Sequence, residues 1–253
     1  MLISCNNVSL GYEGHAVVRD INFTVENGDY LLVVGENGSG KSTLIKGLLK
    51  LLSPLEGSIV FCDELVGGRI GYLSQQSAAK KDFPASVYEI VLSGSLGGMG
   101  LRPFYRPKEK RQAAEAMEQL GIKDLSRKCY RELSGGQQRR VLLARALVSA
   151  LAEKGGGKDG YEKRLLVLDE PAAGLDPLVT VEFYDLLKTL NQQKGITIIS
   201  VSHDIRGAAQ YANRILHIEN GNGFFSGIEE YMQSDRGRKF LGHEKEKKNA
   251  RYS

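Results

Sequence analysis

The run Gly35-Glu36-Asn37-Gly38-Ser39-Gly40-Lys41-Ser42 constrains this chain more than any other feature. It follows Tyr30 to Val34, an apolar stretch without alternation, and it leads into Thr43-Leu44-Ile45. An uninterrupted apolar run is the pattern of a strand covered on both faces in a parallel sheet. A glycine-rich turn from such a strand into a helix aims backbone amides inward, and the helix N-terminus adds partial positive charge, so together they cradle phosphate. The spacing fits the phosphate loop in full. Gly35 through Thr43 are therefore the candidate ATP-binding residues, with Lys41 reaching the β and γ phosphates. Ser42 is a candidate ligand for Mg²⁺, which keeps several waters and needs few protein oxygens.

A second element has matching logic. Leu165-Leu166-Val167-Leu168 delivers Asp169 and Glu170 at the C-terminal end of an apolar strand, the edge at which open α/β sheets bind ligands. Asp169 is placed to hold Mg²⁺ through water, and Glu170 to polarise the attacking water as the catalytic base. An acidic pair alone is more commonly a helix cap or a surface turn; in company with the phosphate loop it reads as catalytic.

Leu133-Ser134-Gly135-Gly136-Gln137 decides the family. This LSGGQ run resembles the signature of the ABC ATPases. What the resemblance implies is an α/β P-loop NTPase fold, with a RecA-like core, an antiparallel β subdomain and a helical subdomain inserted at about 76–150. It also implies that ATP is sandwiched between the phosphate loop of one subunit and Ser134, Gly135, Gly136 and Gln137 of a second, expected to be an identical copy. Other positions agree residue by residue. Tyr12 resembles the aromatic that stacks on adenine, and Gln75 the glutamine that meets Mg²⁺, with Gln76 leaving the register open. Asp176, in Gly174-Leu175-Asp176, is similar to the loop crossing the dimer interface, and His203 to the histidine that contacts the γ-phosphate. His15, His217 and His243 receive no role.

Along the chain, Leu2 to Val25 reads as an antiparallel β portion, with Ile21, Phe23 and Val25 alternating. Ser53-Pro54 is expected to stop the helix after the phosphate loop, and Ser58 to Phe61 and Arg69 to Leu73 are expected strands. Ser86-Val87-Tyr88-Glu89 forms a capping box, and Lys108 to Leu120 is strongly helix-forming. No strand is expected between Leu73 and Leu165, and Gly94 to Gly100 reads as a flexible loop. Ala152 to Arg164 reads as an exposed insertion. A helix opened by Asp176-Pro177, a buried strand Ile196 to Ser200, a short helix and a strand Arg214 to Glu219 complete the body, expected over 1–234.

The formal charge of +4 is carried by Asp235 to Ser253, where seven Lys/Arg face three Asp/Glu. That stretch reads as a charged, solvated tail, and no nucleic-acid partner is expected. Cys5, Cys62 and Cys129 have no ligand or redox spacing, which suits a reducing compartment. No apolar run reaches about 18 residues, so no membrane span is expected. The family resemblance then implies a peripheral subunit on the cytoplasmic face of the membrane, driving an integral permease supplied by an extracytoplasmic substrate-binding protein. Ile70-Gly71-Tyr72, Asp82 to Leu92 and Phe104-Tyr105-Arg106-Pro107 look like the zinc or manganese importers, with relatives that import metal chelates sharing part of the pattern. Ser74, where these relatives often have proline, and the Gly-rich insertion depart from it. A cytosolic ABC ATPase without a permease, such as one serving iron–sulfur cluster assembly, stays open; the 92 residues between Lys41 and Ser134 leave no space for the long coiled coil of a chromosome-type ATPase.

Overall fold

The computed structural model describes residues 1–66, 70–75, 84–151, 163–203 and 205–241. Its first half runs β1 (Ile3–Tyr12), β2 (His15–Val25), β3 (Tyr30–Val34), α1 (Lys41–Leu48), β4 (Glu56–Phe61), α2 (Asp63–Val66), β5 (Ile70–Leu73), α3 (Val87–Leu92), α4 (Leu96–Met99) and α5 (Pro107–Gln119). The second half runs α6 (Gly135–Leu151), β6 (Leu165–Asp169), α7 (Pro177–Lys194), β7 (Thr197–Val201), α8 (Ile205–Ala209), β8 (Arg214–Glu219), β9 (Asn222–Gly227) and α9 (Ile228–Gln233). Among the described residues the strands make one sheet in the order β4-β1-β2-β9-β8-β3-β7-β6-β5.

Strands β5, β6, β7, β3 and β8 are parallel neighbours. Their lack of alternation has a direct cause. Leu32, Val34, Leu166, Leu168 and Ile198 join the core on one face, with residues of α6 and α7. Leu31, Val33, Leu165, Val167 and Ile199 join the core on the other, with Leu44, Ile45 and Leu48 of α1. Each successive side chain therefore meets a hydrophobic layer, and no position is left for water. The first strands are antiparallel instead, β1 pairing with both β2 and β4. There Ile21, Phe23 and Val25 are buried while Asn22 and Thr24 are exposed, the alternation of a strand covered on one face.

Helices α3 to α6 follow β5 with no strand among the described residues, and the Ser86 capping box is formed. Its hydroxyl accepts from Glu89 N at 3.3 Å, and the Glu89 carboxylate accepts from Ser86 N at 2.8 Å. Two local expectations need correction. Helix α1 stops at Leu48, well before Ser53-Pro54, because Lys50 takes φ 60 and closes a Schellman turn. In that turn Leu51 N donates to Lys46 O and Lys50 N to Gly47 O. The Gly94 to Gly100 stretch is largely helical, covering a tight turn at Ser93–Ser95 and α4. Gly94 lies against α6, where a Cβ would stand 2.3 Å from Arg145 O, so this glycine serves a close helix approach.

Strand β9 and helix α9 are additions to the expected order. Residues 235–241 are helical as well, and the Phe240 ring lies 4.3 Å from that of His217. His217 itself is buried, its Nδ1 bonded to Tyr231 Oη at 2.9 Å. The segment beginning at Asp235 thus starts as a helix packed against His217 of β8 rather than as a solvated tail. Arg69, Gln76, Asp82-Phe83, Asp204, His243 and most of the Ala152 to Arg164 insertion lie outside the described residues.

Candidate active site

The phosphate loop leaves β3 from a buried position and turns through Gly35, Gly38 and Gly40, at φ 151, 82 and 105. Helix α1 then opens without a side-chain cap and without an acidic residue in its first turn. Its first amides have no intrahelical acceptor, which leaves them for an anion. Lys41 is only 6% exposed, and its Nζ donates to Gly35 O at 2.9 Å and Glu36 O at 2.8 Å. Burial lowers its proton affinity, while the carboxylates of Glu170, Asp169 and Glu36 oppose that effect.

Parallel pairing of β6 with β5 and β7 carries the acidic pair to the same edge. Glu170 adopts φ 48, uncommon for a residue with a side chain, and its N–H donates to Val201 O at 3.1 Å. One carboxylate oxygen accepts from Gln75 Nε2 at 2.8 Å, and His203 Nε2 stands 2.5 Å from the other. Burial, and after it the neighbouring charge of Glu170, raises the pKa of Asp169; Lys41, His203 and a hydrogen bond from Tyr72 act the other way.

These groups line a single cleft of about 610 Å³. It gathers Asn37, Gly38, Gly40, Lys41, Ser42 and Thr43 from the loop, and Gln75, Asp169, Glu170 and His203 from three strand ends. The arrangement sets phosphate-binding amides and a lysine opposite a carboxylate held between two hydrogen-bonding side chains.

Residues 18–173 match the family model described as ABC transporter. The chain belongs to the ABC transporter family. It is similar to the zinc uptake system ATP-binding protein ZurA of Listeria innocua, with 34% identity covering 98% of this chain and 95% of the relative. The manganese transport system ATP-binding protein MntB of Bacillus subtilis is 35% identical, over 85% of this chain and 82% of that one. Among solved structures, cbiO1 of Clostridium perfringens, part of the ABC transporter complex cbiONQ, superposes with a TM-score of 0.77. That match is 27% identical and covers 93% of this chain and 92% of the other.

As an ABC ATPase, the chain divides its expected site residues into two groups. The signature stands away from the cleft: none of Ser134, Gly135, Gly136 and Gln137 lines it, and Ser134 and Gly135 are exposed at the start of α6. Asp176 is exposed and caps α7, accepting from Val179 N at 3.0 Å. Tyr12 lies on the flank of α1, 44% exposed, with its hydroxyl accepting from Lys46 Nζ at 3.0 Å. Gly35, Glu36 and Ser39 belong to the loop but do not line this cleft.

Four residues beside the ABC motifs were missed in the sequence. Val17 and Val201 line the cleft, Tyr72 bonds Asp169, and Arg139 reaches the backbone beneath Glu170. Val17 occupies an exposed position of an alternating strand, and nothing in the sequence separates it from an ordinary surface valine. Tyr72 had a signal, since it is the penultimate residue of the strand that delivers Gln75.

Proposed function

We propose that this chain is the ATP-hydrolysing subunit of an importer of zinc, manganese or a metal chelate, and that it drives a separate membrane permease. Hydrolysis is supported above all by Glu170, whose carboxylate stands between Gln75 and His203 in a cleft that the phosphate loop also lines. In this reading the carboxylate accepts a proton from the attacking water while His203 holds the carboxylate from its far side and faces the γ-phosphate. Lys41 and the α1 amides bind the β and γ phosphates as charge develops on them.

The oxygen donors facing the cleft suit a hard cation, because Ser42, Gln75 and Asp169 all line it and the Gln75 amide nitrogen is turned to Glu170. Ser42, Gln75 and Asp169 would hold Mg²⁺, which would supply neutralisation of phosphate charge. The exposed signature completes the site on a second copy of the chain, where the Ser134 hydroxyl and glycine amides meet the γ-phosphate. Tyr12 stacks on adenine with its open ring face, and Asp176 lies in the loop that crosses between copies. ATP thus favours closure of the pair, and hydrolysis removes the contacts that hold it closed.

Transport of a metal is supported by relatives named for zinc and manganese systems. Among the described residues no helix is long and apolar enough to cross a membrane, which fits a peripheral subunit on the cytoplasmic face working with a permease and an extracytoplasmic binding protein. Co-expression with a candidate permease and reconstitution in vesicles tests the reading. Mg·ATP inside should drive uptake of Zn²⁺ or Mn²⁺, and Glu170→Gln should abolish it. Full-rate hydrolysis by a dilute monomer, or an absence of any permease that binds the chain, overturns it.

A further inference from the structure

Arg139 is 3% exposed on α6, five residues beyond the signature serine. Its hydrogen-bond acceptors are all backbone carbonyls. Nε donates to Pro171 O at 2.5 Å and Nη2 to Glu170 O, and weaker contacts at 3.5 Å reach Asp169 O and Ser74 O. A buried guanidinium is expensive to desolvate, and an apolar residue would suit the layers around α6. Arg140 next to it shows the ordinary alternative, pairing with Glu182 at 2.8 Å on the surface. The charge of Arg139 is therefore retained for what it holds.

What it holds is specific. The carbonyls of Asp169 and Glu170 belong to the two peptides flanking the Glu170 Cα, the residue at φ 48. Left-handed backbone at a non-glycine residue is strained and persists only when its surroundings fix it. Ser74 O belongs to the peptide leading into Gln75, which donates to the Glu170 carboxylate. One guanidinium thus grips the backbone of both residues that meet at 2.8 Å, and it does so from the helix that begins at the signature.

We infer that Arg139 is a positioning residue, which fixes the Glu170 backbone and makes the placement of its carboxylate depend on the placement of the signature helix. This rests on the reading of Glu170 as the residue that activates water. A shift of α6 against the sheet carries the Ser74 and 169–171 carbonyls with it, so the two copies must be seated correctly before the carboxylate faces its water.

Steady-state and single-turnover Mg·ATP hydrolysis test the inference in Arg139→Met, Arg139→Lys, Glu170→Gln and the double variant R139M/E170Q, alongside nucleotide binding. Arg139→Met should lose about 10²-fold in kcat, the scale of a misplaced catalytic group, with KM and ATP affinity within about threefold. Arg139→Lys, a point charge that reaches fewer carbonyls, should fall between Met and the native chain. Because Arg139 acts through Glu170, the double variant should hydrolyse no more slowly than Glu170→Gln alone.

Native-like kcat in Arg139→Met overturns the inference, as does a double variant that loses the product of both factors. Equal changes in kcat and KM do so too, since general damage to the fold would produce them. Should Arg139→Met not fold, Arg139→Lys decides, and a native rate there is equally fatal. Native activity in Glu170→Gln is a different failure, that of the parent reading.

Discussion

Helices α1 and α6 each begin on a glycine-rich turn, and they begin differently. At α1 the N-cap is Gly40 in left-handed backbone, no side chain covers the first amides, and a buried lysine stands beside them. At α6 the Ser134 hydroxyl accepts from Gln137 N at 3.3 Å, and the Gln137 side chain accepts from Ser134 N at 3.1 Å. That reciprocal pair is a capping box, which satisfies the helix end from within. The first terminus is incomplete as structure and complete as a phosphate site. The second is complete as structure, and its serine and first glycine stay exposed for the contact proposed with a phosphate held on another copy. That contrast fits the proposed division of the site between two chains.

The largest effect is expected on the α1 side. Glu170→Gln should lower phosphate release by about 10²–10⁴-fold, the usual contribution of a general base, while binding of ATP persists. Loss of binding together with rate would mean that Glu170 holds the loop rather than the water. On the α6 side, Gly135→Asp meets open space, so it adds a carboxylate without a clash. Repulsion of the γ-phosphate should cost about 10²-fold, comparable to removing a donor from an anion hole. Mixing this variant with Lys41→Ala then tests the division directly. Paired chains contain one site with both lesions and one with neither, so activity should return on mixing; a site contained within one chain returns none.

The two termini also differ in how far they could be read from sequence. Both motifs are contiguous, because amides that converge on one anion must come from neighbouring residues, and so a linear pattern reveals them. The parallel sheet was legible for a similar reason, since burial on both faces leaves runs such as Leu165 to Leu168 without a polar position. Relations between distant segments were not. Gln75 and His203 meet Glu170 only through the pairing of β5, β6 and β7, and family likeness alone pointed to them. Arg139 and Arg140 are indistinguishable in sequence; the roughly 100° step between helix positions turns one to the sheet and the other to Glu182. Gly94 was misread because glycine permits both mobility and close approach, and only the position of α6 tells which applies.

The smallest effects sharpen the contrast most, because they have opposite signs. Ser134→Ala removes the cap of α6 and should destabilise the chain by about 1 kcal/mol. Asp169→Asn should do the reverse. Burial and the adjacent Glu170 raise the Asp169 pKa in the fold above its unfolded value of about 3.9, so ionised Asp169 costs stability. That cost is fully present above the folded pKa and vanishes as the pH falls below the unfolded one. Asp169→Asn should therefore show a higher Tm than the native chain at neutral pH, a gap that closes on acidification, and no Mg²⁺-dependent hydrolysis. Thermal melts from pH 7 down to about 3, below the unfolded pKa, measure both variants. A lower Tm for Asp169→Asn would show that Lys41 and Tyr72 outweigh burial, and that the α1 half-site stabilises the fold it occupies. The predicted rise instead marks Asp169 as a charge kept at the expense of stability, as expected where a cation and phosphates are to be bound.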